Sequence, residues 1–299
     1  MTMKRTLSIL LVLALTLSLA ACGSSPGDDL QSPTSVNPGN NSQQPSTNTP
    51  AAEATIKETV LLDESGIKIT AKSLSTDGLF GPELKLLIEN NSGKDLTIQG
   101  RGVSVNGYMV DTMMSVEVVN GKKANDSLTI LKADLESCGI ETIADLEFSF
   151  HIFTTSDWET YLDTPKIQLK TSAAETYAYT FDDSGDVAYE GNGLKIVVKG
   201  LSKDDSLLGP GIIVYIANSS DKDLTVQTRD ISINGFMVDA MFSPEVMAGK
   251  HAVDTITFLS TDLEENDITT IQTVELSFHV FETASWDTVV DTEVVTINF

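Results

Sequence analysis

The sequence predicts an all-β protein made of two tandem antiparallel sandwiches. One stretch occurs twice, as Val-Ser-Val-Asn-Gly-Tyr-Met-Val-Asp-Thr-Met-Met-Ser at residues 103–115 and as Ile-Ser-Ile-Asn-Gly-Phe-Met-Val-Asp-Ala-Met-Phe-Ser at residues 231–243. Apolar and polar residues alternate through most of both copies, a period typical of strands with one face on a core. Turn signals rich in Asn, Gly and Ser separate these runs, which favours about seven short strands per copy.

The repeat sets the domain organisation. An offset of 128 aligns residues 82–164 with residues 210–292, and about half of these positions are identical. A unit of roughly 100 residues can bury a core of its own. We therefore predict one domain at residues 56–171, a linker at 172–183 and a second domain at 184–299. Each domain would have one short helix that crosses between its sheets.

The Asn-Gly pair at the centre of each copy predicts a tight hairpin. A type I′ turn needs a positive φ at both central residues, which Asn tolerates and Gly adopts freely. In that register Val105 lies opposite Tyr108, and Ser104 lies opposite Met109. The second copy would repeat the same pairing around its own Asn-Gly pair.

One segment in each copy breaks the period of two. Thr-Asp-Leu-Glu at residues 261–264 has the spacing of a capping box, in which the hydroxyl of Thr261 would cap a short helix. Ala133 takes the place of this threonine in the first copy, so the first helix would lack the capping hydroxyl.

The N-terminal segment predicts that the protein is located outside the cytoplasm. Residues 1–21 have a basic start and an apolar run too short to span a bilayer comfortably, as in a signal peptide. The segment Leu-Ala-Ala-Cys at residues 19–22 resembles the lipobox of bacterial lipoproteins, which implies cleavage before Cys22 and lipidation of its thiol. An ordinary secretory peptide with a cysteine here is the alternative. Residues 22–55 would be a disordered tether, and the protein would be lipid-anchored at the extracytoplasmic face of the cell membrane.

The charge balance limits the partners. The formal net charge of −24 disfavours nucleic acid and anionic lipid surfaces. Cationic ligands, basic proteins and divalent ions stay open, while dispersed acids that keep an extracytoplasmic protein soluble are the simpler interpretation. Lipidation of Cys22 would leave Cys138 without a disulfide partner, and Asn266 takes its place in the second copy, so Cys138 is expected to be structural.

The search for catalytic and metal sites gives an expectation of none. His151 and His279 are equivalent residues, each expected on a sheet face and hydrogen-bonded to a neighbour. The sequence has no zinc-ligand spacing, no nucleophile elbow and no phosphate-binding loop, so we predict no enzymatic activity, no cofactor and no metal. Carboxylates at residues 182–186 and at Asp204 and Asp205 could offer oxygen ligands to calcium, although solvated turns are the favoured interpretation.

Apolar residues beside turns are the candidates for a binding surface. Methionine-rich apolar surface is adaptable and recurs at binding sites, whereas packing at the ends of the sandwiches is the alternative. Trp158 and Trp286 could likewise belong to a binding surface or pack at the ends of the sandwiches. Arg101 and Arg229 are expected to make structural ion pairs or hydrogen bonds. The candidate residues are Phe80, Tyr108, Met113, Met114, Leu208, Phe236, Met241 and Phe242.

A family resemblance rests on two short motifs. Asn-Asn-Ser-Gly-Lys-Asp-Leu-Thr at residues 90–97 and Asn-Ser-Ser-Asp-Lys-Asp-Leu-Thr at residues 218–225 each follow an apolar strand. With the lipobox and the polar tether, they resemble the immunoglobulin-like domains of uncharacterised lipoproteins from Gram-positive bacteria, which are similar in fold to secreted immunoprotective antigens of mycobacteria. The resemblance implies immunoglobulin-like sandwiches outside the membrane and offers no catalytic residues.

These observations together predict a non-catalytic binding or adhesion module. Its partners would be the membrane, through the lipid anchor, and an envelope or extracellular protein or glycan. The alternative is an envelope-structural or accessory subunit that docks a membrane protein complex.

Overall fold

The computed structural model describes residues 54–202 and 209–299. The predicted signal peptide, Cys22 and most of the tether lie outside the described residues, as do Asp204, Asp205 and Leu208. Strands dominate the part of the chain that is described, and they form two tandem immunoglobulin-like sandwiches, so the predicted fold class is confirmed. No helix in the described ranges is both long and apolar enough to cross a membrane.

The first copy contains eleven strands and one helix, several of the strands being short pieces at the sheet edges. Their bounds are β1 Thr59–Glu64, β2 Ile67–Ser75, β3 Glu83–Asn90, β4 Leu96–Val105, β5 Tyr108–Met109, β6 Thr112–Met113, β7 Ser115–Val118, β8 Lys122–Ile130, α1 Lys132–Ser137, β9 Asp145–Thr154, β10 Thr160–Asp163 and β11 Ile167–Lys170.

The second copy repeats this order. Its elements are β12 Asp186–Gly191, β13 Leu194–Leu201, β14 Gly211–Asn218, β15 Leu224–Ile233, β16 Phe236–Met237, β17 Ala240–Met241, β18 Glu245–Val246, β19 His251–Phe258, α2 Ser260–Glu265, β20 Thr273–Glu282, β21 Thr288–Asp291 and β22 Val295–Asn298.

Each copy packs two sheets around its own core. In the first copy, β1-β2-β3-β8-β6 form one sheet, and β10-β9-β4-β5 form the other with β7 and β11 at its edges. The alternating strands turn every second side chain inward, so Leu84, Ile98 and Phe150 meet between the sheets. The second copy builds a separate core in the same way, with Ile212, Val226 and Phe278 at its centre.

The two copies share a sheet. A parallel bridge between Tyr108 on β5 and His251 on β19 joins the second sheet of copy one to β19-β14-β13-β12 of copy two. The Nζ atom of Lys250 lies 3.1 Å from a carboxylate oxygen of Glu147, which adds an ion pair across the junction. The tandem domains are therefore joined by direct contacts as well as by the intervening chain.

Both predicted hairpins form in the expected register. Asn106 and Gly107 have φ values of 51° and 86°, and Val105 pairs with Tyr108 while Ser104 pairs with Met109. Asn234 and Gly235 adopt 52° and 88°. The side chain of Asn106 also donates to the carbonyl of residue 142 and accepts from two backbone N–H groups, so it holds the turn against the strand that follows the helix.

The short helices cross between sheets as predicted, but the capping box is wrong. The N-cap positions are Leu131 and Leu259, without side-chain capping, and Thr261 lies one residue inside the helix. The neighbouring Asp262 turns away instead and accepts a hydrogen bond of 2.7 Å from the backbone N–H of Asp239. That aspartate therefore ties the helix to the loop after the hairpin, and the spacing in sequence gave no sign of this use.

The motif that carried the family resemblance has a structural role. Asn90 is buried, and its amide donates to the carbonyls of Lys94 and Val118 while its oxygen accepts from Ser92. Asn218 makes the same set of contacts in the second copy. The Asn and Ser of the motif thus provide hydrogen-bond partners for the backbone groups of a tight loop at the end of an inner strand.

Candidate functional site

One outward sheet face is the same in both copies. In the first copy it is formed by outward residues of β4, β7, β9 and β10, whose intervening residues point into the core, and by Trp158 in the turn between β9 and β10. We name this surface the duplicated face. In copy one it comprises Thr97, Gln99, Arg101, Ser115, Glu117, Ser149, His151, Phe153, Trp158 and Asp163, and in copy two Thr225, Gln227, Arg229, Ser243, Glu245, Ser277, His279, Phe281, Trp286 and Asp291.

These ten positions are identical between the copies, whereas only about half of all aligned positions are. At the start of β9, Glu147 is also kept as Glu275, while Asp145 is replaced by Thr273. The outward surface of the other sheet, here named the opposite face, behaves differently. Among ten of its outward pairs, seven differ, namely Thr70/Val197, Lys85/Ile213, Leu87/Tyr215, Glu89/Ala217, Lys123/His251, Asn125/Val253 and Ser127/Thr255, while Lys68/Lys195, Lys72/Lys199 and Thr129/Thr257 are identical.

Hydrogen bonds fix the polar side chains of the duplicated face. Gln99 donates from Nε2 to Ser115 Oγ at 3.3 Å, and Arg101 donates from Nη2 to Gln99 Oε1 at 2.6 Å. In copy two, Gln227 donates to Ser243 Oγ at 3.1 Å. Arg229 turns instead toward Asp291, at 3.7 Å. The expected structural bonds of the two arginines are therefore present, with a different partner in each copy.

Each histidine of this face pairs with an aspartate on the neighbouring strand. His151 Nδ1 lies 2.5 Å from Asp163 Oδ1, and His279 Nδ1 lies 2.6 Å from Asp291 Oδ1. The contact matches the expected sheet-face histidine bonded to a neighbour. It fixes the orientation of the ring and leaves the other ring nitrogen for a polar group of a ligand.

An exposed tryptophan ends each face. Trp158 and Trp286 are 74% and 73% exposed, and their indoles stack almost parallel on Phe153 and Phe281, with centroid distances of 5.3 Å and 5.1 Å. Both tryptophans have left-handed backbone, with φ of 63° and 64°. Bulky residues rarely adopt this conformation because Cβ crowds the backbone. Both copies therefore keep the same backbone strain at their tryptophan.

The predicted apolar surface residues differ in their exposure. Phe80, Met113, Phe236 and Met241 are exposed, with Phe80 at 61%. Met114 and Phe242 are half-buried and pack against the cores of their own copies. Tyr108 is only 4% exposed, and Leu208 lies outside the described residues.

Tyr108 lies in the contact between the copies. Its ring meets the edges of Phe181, at 5.1 Å, and Tyr215, at 6.5 Å, and Val197 completes a small apolar cluster. Cys138 packs against this cluster, where burial raises the pKa of its thiol to about 12. A thiol that stays protonated is a poor nucleophile, in agreement with the structural role expected for it.

Sequence reasoning missed this contact, although a signal was present. Residues 211–217 read Gly-Ile-Ile-Val-Tyr-Ile-Ala without alternation, while the equivalent residues 83–89 alternate as Glu-Leu-Lys-Leu-Leu-Ile-Glu. An unbroken apolar run is typical of a strand covered on both faces. That run predicts that β14 is buried from outside as well as from its own core.

A polar cleft of about 340 Å³ lies beside this contact. Arg101 and Glu245 line it together with Asp111, Asp134 and Asp254. Burial raises the pKa of Asp134 and of Asp254. No group of three or more potential ligands in the described ranges has the geometry of a metal site. The acidic stretch at 182–186 is used in ion pairs, with Asp183 on Lys195 and Asp182 on Lys199.

Comparison with known proteins finds only structures of low similarity. No family model matches the sequence, and no curated protein matches it. Among solved structures, the YadV chaperone is similar at 10% identity over 78% of this chain and 100% of its own, with a TM-score of 0.23. The CupB2 chaperone of Pseudomonas aeruginosa is similar at 11% identity over 73% and 92%, with a TM-score of 0.18. Likeness at this level assigns neither a family nor a function.

Proposed function

We propose that this chain is a non-catalytic binding protein that uses two copies of one site, the duplicated face, at the extracytoplasmic surface of a membrane. The observation that carries the proposal is the identity of the ten named residues of that face between copies that differ at about half of their positions. The partner would be an envelope or extracellular protein or glycan.

Stability alone gives no reason for this identity. Surface substitutions away from caps, cores and buried networks usually change the free energy of unfolding by less than about 0.5 kcal/mol. The opposite face has changed accordingly, becoming apolar where copy two meets copy one. Apart from the buried Phe153, Phe281 and Thr225, the residues of this face are at least partly exposed in both copies, and their identity is best explained by a shared ligand. Two such sites allow bivalent binding.

The membrane location rests on the sequence. The signal segment at residues 1–21 and Cys22 support lipidation, and acyl chains at Cys22 would hold the protein at the membrane. The tether at residues 22–55 would let the paired domains reach beyond the lipid headgroups.

Docking to a membrane protein complex is the second candidate, and one observation favours it. In copy one the hairpin tip at Tyr108 docks onto a sandwich, whereas in copy two the equivalent Phe236 and the adjacent Met237 are 48% and 66% exposed. The second hairpin could therefore dock onto a partner domain in the same way.

Sedimentation of residues 51–299 with isolated cell envelope tests both candidates. A variant with Ser149→Arg and Ser277→Arg places a long side chain on each duplicated face. A control with Asn125→Arg and Ser127→Arg adds the same charge to the opposite face of copy one. We expect the wild type and the control to sediment with the envelope and the face variant to stay in solution.

Equal sedimentation of all three proteins would overturn the proposal for the duplicated face. A further variant with Phe236→Ser and Met237→Ser separates the docking candidate. Loss of sedimentation in this variant alone would favour docking through the second hairpin.

A further inference from the structure

The exposed indoles suggest the chemistry of the ligand. We infer that each duplicated face binds a neutral polysaccharide, with a sugar ring packed flat on Trp158 in copy one and on Trp286 in copy two. The inference rests on the proposed function and adds its ligand class.

The indole supplies an apolar platform. One face of Trp158 is covered by Phe153 at an interplanar angle of 15°, and the side chain as a whole is 74% exposed, so the other ring face meets solvent. Trp286 repeats this on Phe281 at 12°. A sugar ring carries C–H groups on one side, which pack on a flat aromatic surface that is amphipathic and rigid.

Side chains that can bind hydroxyl groups lie beside the platform. His151 is next to Phe153, with ring centroids 5.3 Å apart, and its Nδ1 is held by Asp163. Gln99 pairs with His151 across the strands, and Arg101 lies two residues further along. Because these groups are already held by partners, binding would cost little side-chain entropy.

The charge and the duplication favour a neutral polymer. A net charge of −24 repels polyanions, and Arg229 is already balanced by Asp291. A polysaccharide repeats its unit, so two identical sites can hold one chain, and linked binding can exceed the affinity of a single site by 10²–10⁴.

A cationic ligand is the competing occupant, because an indole also attracts cations. The residue before the tryptophan is Asp157 in copy one and Ser285 in copy two, while an acidic residue, Glu159 or Asp287, follows it in both copies. Titration with a polycation therefore separates a cationic ligand from a sugar.

Tryptophan fluorescence reads the site directly, because the chain has only two tryptophans and both lie on the proposed sites. Residues 51–299 would be titrated with a soluble neutral glucan, a mannan and solubilised cell-wall glycan. Polygalacturonate serves as the polyanion and poly-lysine as the polycation. We expect a saturable change with at least one neutral polymer, at least tenfold tighter than with its short oligosaccharide, and none with the charged polymers.

Substitution of the platforms tests the assignment. Asn tolerates left-handed backbone, so Trp158→Asn and Trp286→Asn are expected to fold, as circular dichroism would check. Affinity electrophoresis should show at least a tenfold loss of polymer affinity for each single variant and no binding for the double variant. Phe236→Ala, which removes an exposed ring outside the face, should bind as the wild type does.

Three results would overturn the inference: no response to any neutral polymer, a response to poly-lysine alone, or unchanged polymer binding by the double variant. The proposed function fails separately. If the arginine variant of the duplicated face loses binding to the envelope while no polysaccharide binds, the face is a binding site for another ligand class.

Discussion

The two hairpins have nearly the same sequence and turn but different surroundings. Asn106 and Asn234 have φ values of 51° and 52°, and each side chain bonds the same three backbone groups of its own copy. Yet Asn106 is 1% exposed while Asn234 is open to solvent, and Tyr108 is 4% exposed where its equivalent Phe236 is 48% exposed.

The difference comes from what lies beyond each tip. The first hairpin meets the opposite face of copy two, where Val197 and Tyr215 replace the Thr70 and Leu87 of copy one. In the described part of the chain no third sandwich follows to cover the second hairpin. The turn is thus encoded locally, whereas burial depends on a surface that lies more than a hundred residues away in sequence.

The largest expected effect comes from truncating the two hairpin tips. Tyr108→Ala should lower the free energy of unfolding by about 3–4 kcal/mol, because it empties a buried aromatic contact. Phe236→Ala should change it by less than about 1 kcal/mol, since the ring is half in solvent already. Urea unfolding of residues 51–299 measures both, and equal losses would mean that the copies do not dock through Tyr108.

Substitution of the turn asparagines should give a smaller difference in unfolding free energy between the two copies, again with the larger loss in copy one. Asn106→Ala and Asn234→Ala remove the same hydrogen bonds and place Ala at the same φ. At Asn106 the backbone groups that lose their hydrogen-bond partner are shielded from water, and this costs about 1–3 kcal/mol. At Asn234 water can reach the equivalent groups and replace the lost bonds. We expect Asn106→Ala to cost roughly 1–2 kcal/mol more in urea unfolding, and a difference near zero would contradict the buried junction.

The sequence predicted most of the fold because its signals are local. Alternation specified the strands, and Asn-Gly specified both turns and the register of Val105 with Tyr108. The predicted capping box at Thr261 was wrong because such a box is recognised from spacing alone. Asp262 instead bonds a loop that is close only in the folded chain.

The candidate site was harder to predict. The apolar residues near turns were chosen for hydrophobicity, yet folding buries Tyr108 between the copies and half-buries Met114 and Phe242. The duplicated face becomes visible only when the strand register shows which residues of β4, β7, β9 and β10 share one surface. The sequence signal for this site is the identity of the two copies at the residues that share this surface.

The smallest expected effect is a pH dependence at the junction. His251 replaces the solvent-facing Lys123 of copy one, and it stacks on Phe181 with centroids 3.5 Å apart. Its Nδ1 lies 2.6 Å from the hydroxyl of Tyr215, whose own pKa is raised to about 12 by burial. Burial and the charge of Lys250 lower the pKa of His251 from 6.5, and the facing carboxylate of Asp183 opposes this.

A lowered histidine pKa means that the unfolded chain takes up the proton first. The stability that neutral His251 contributes is therefore complete above about pH 6.5 and is lost as the pH falls from there toward the lowered folded-state pKa. The difference in unfolding free energy between wild type and His251→Gln should fall over this window, because the variant has no titrating ring. Urea unfolding at several values between pH 5 and pH 8 measures it. Lys123→Gln is the matched change at the solvent-facing position and should give a flat difference. Parallel curves for the wild type and His251→Gln would show that the contact between the copies does not depend on a neutral imidazole.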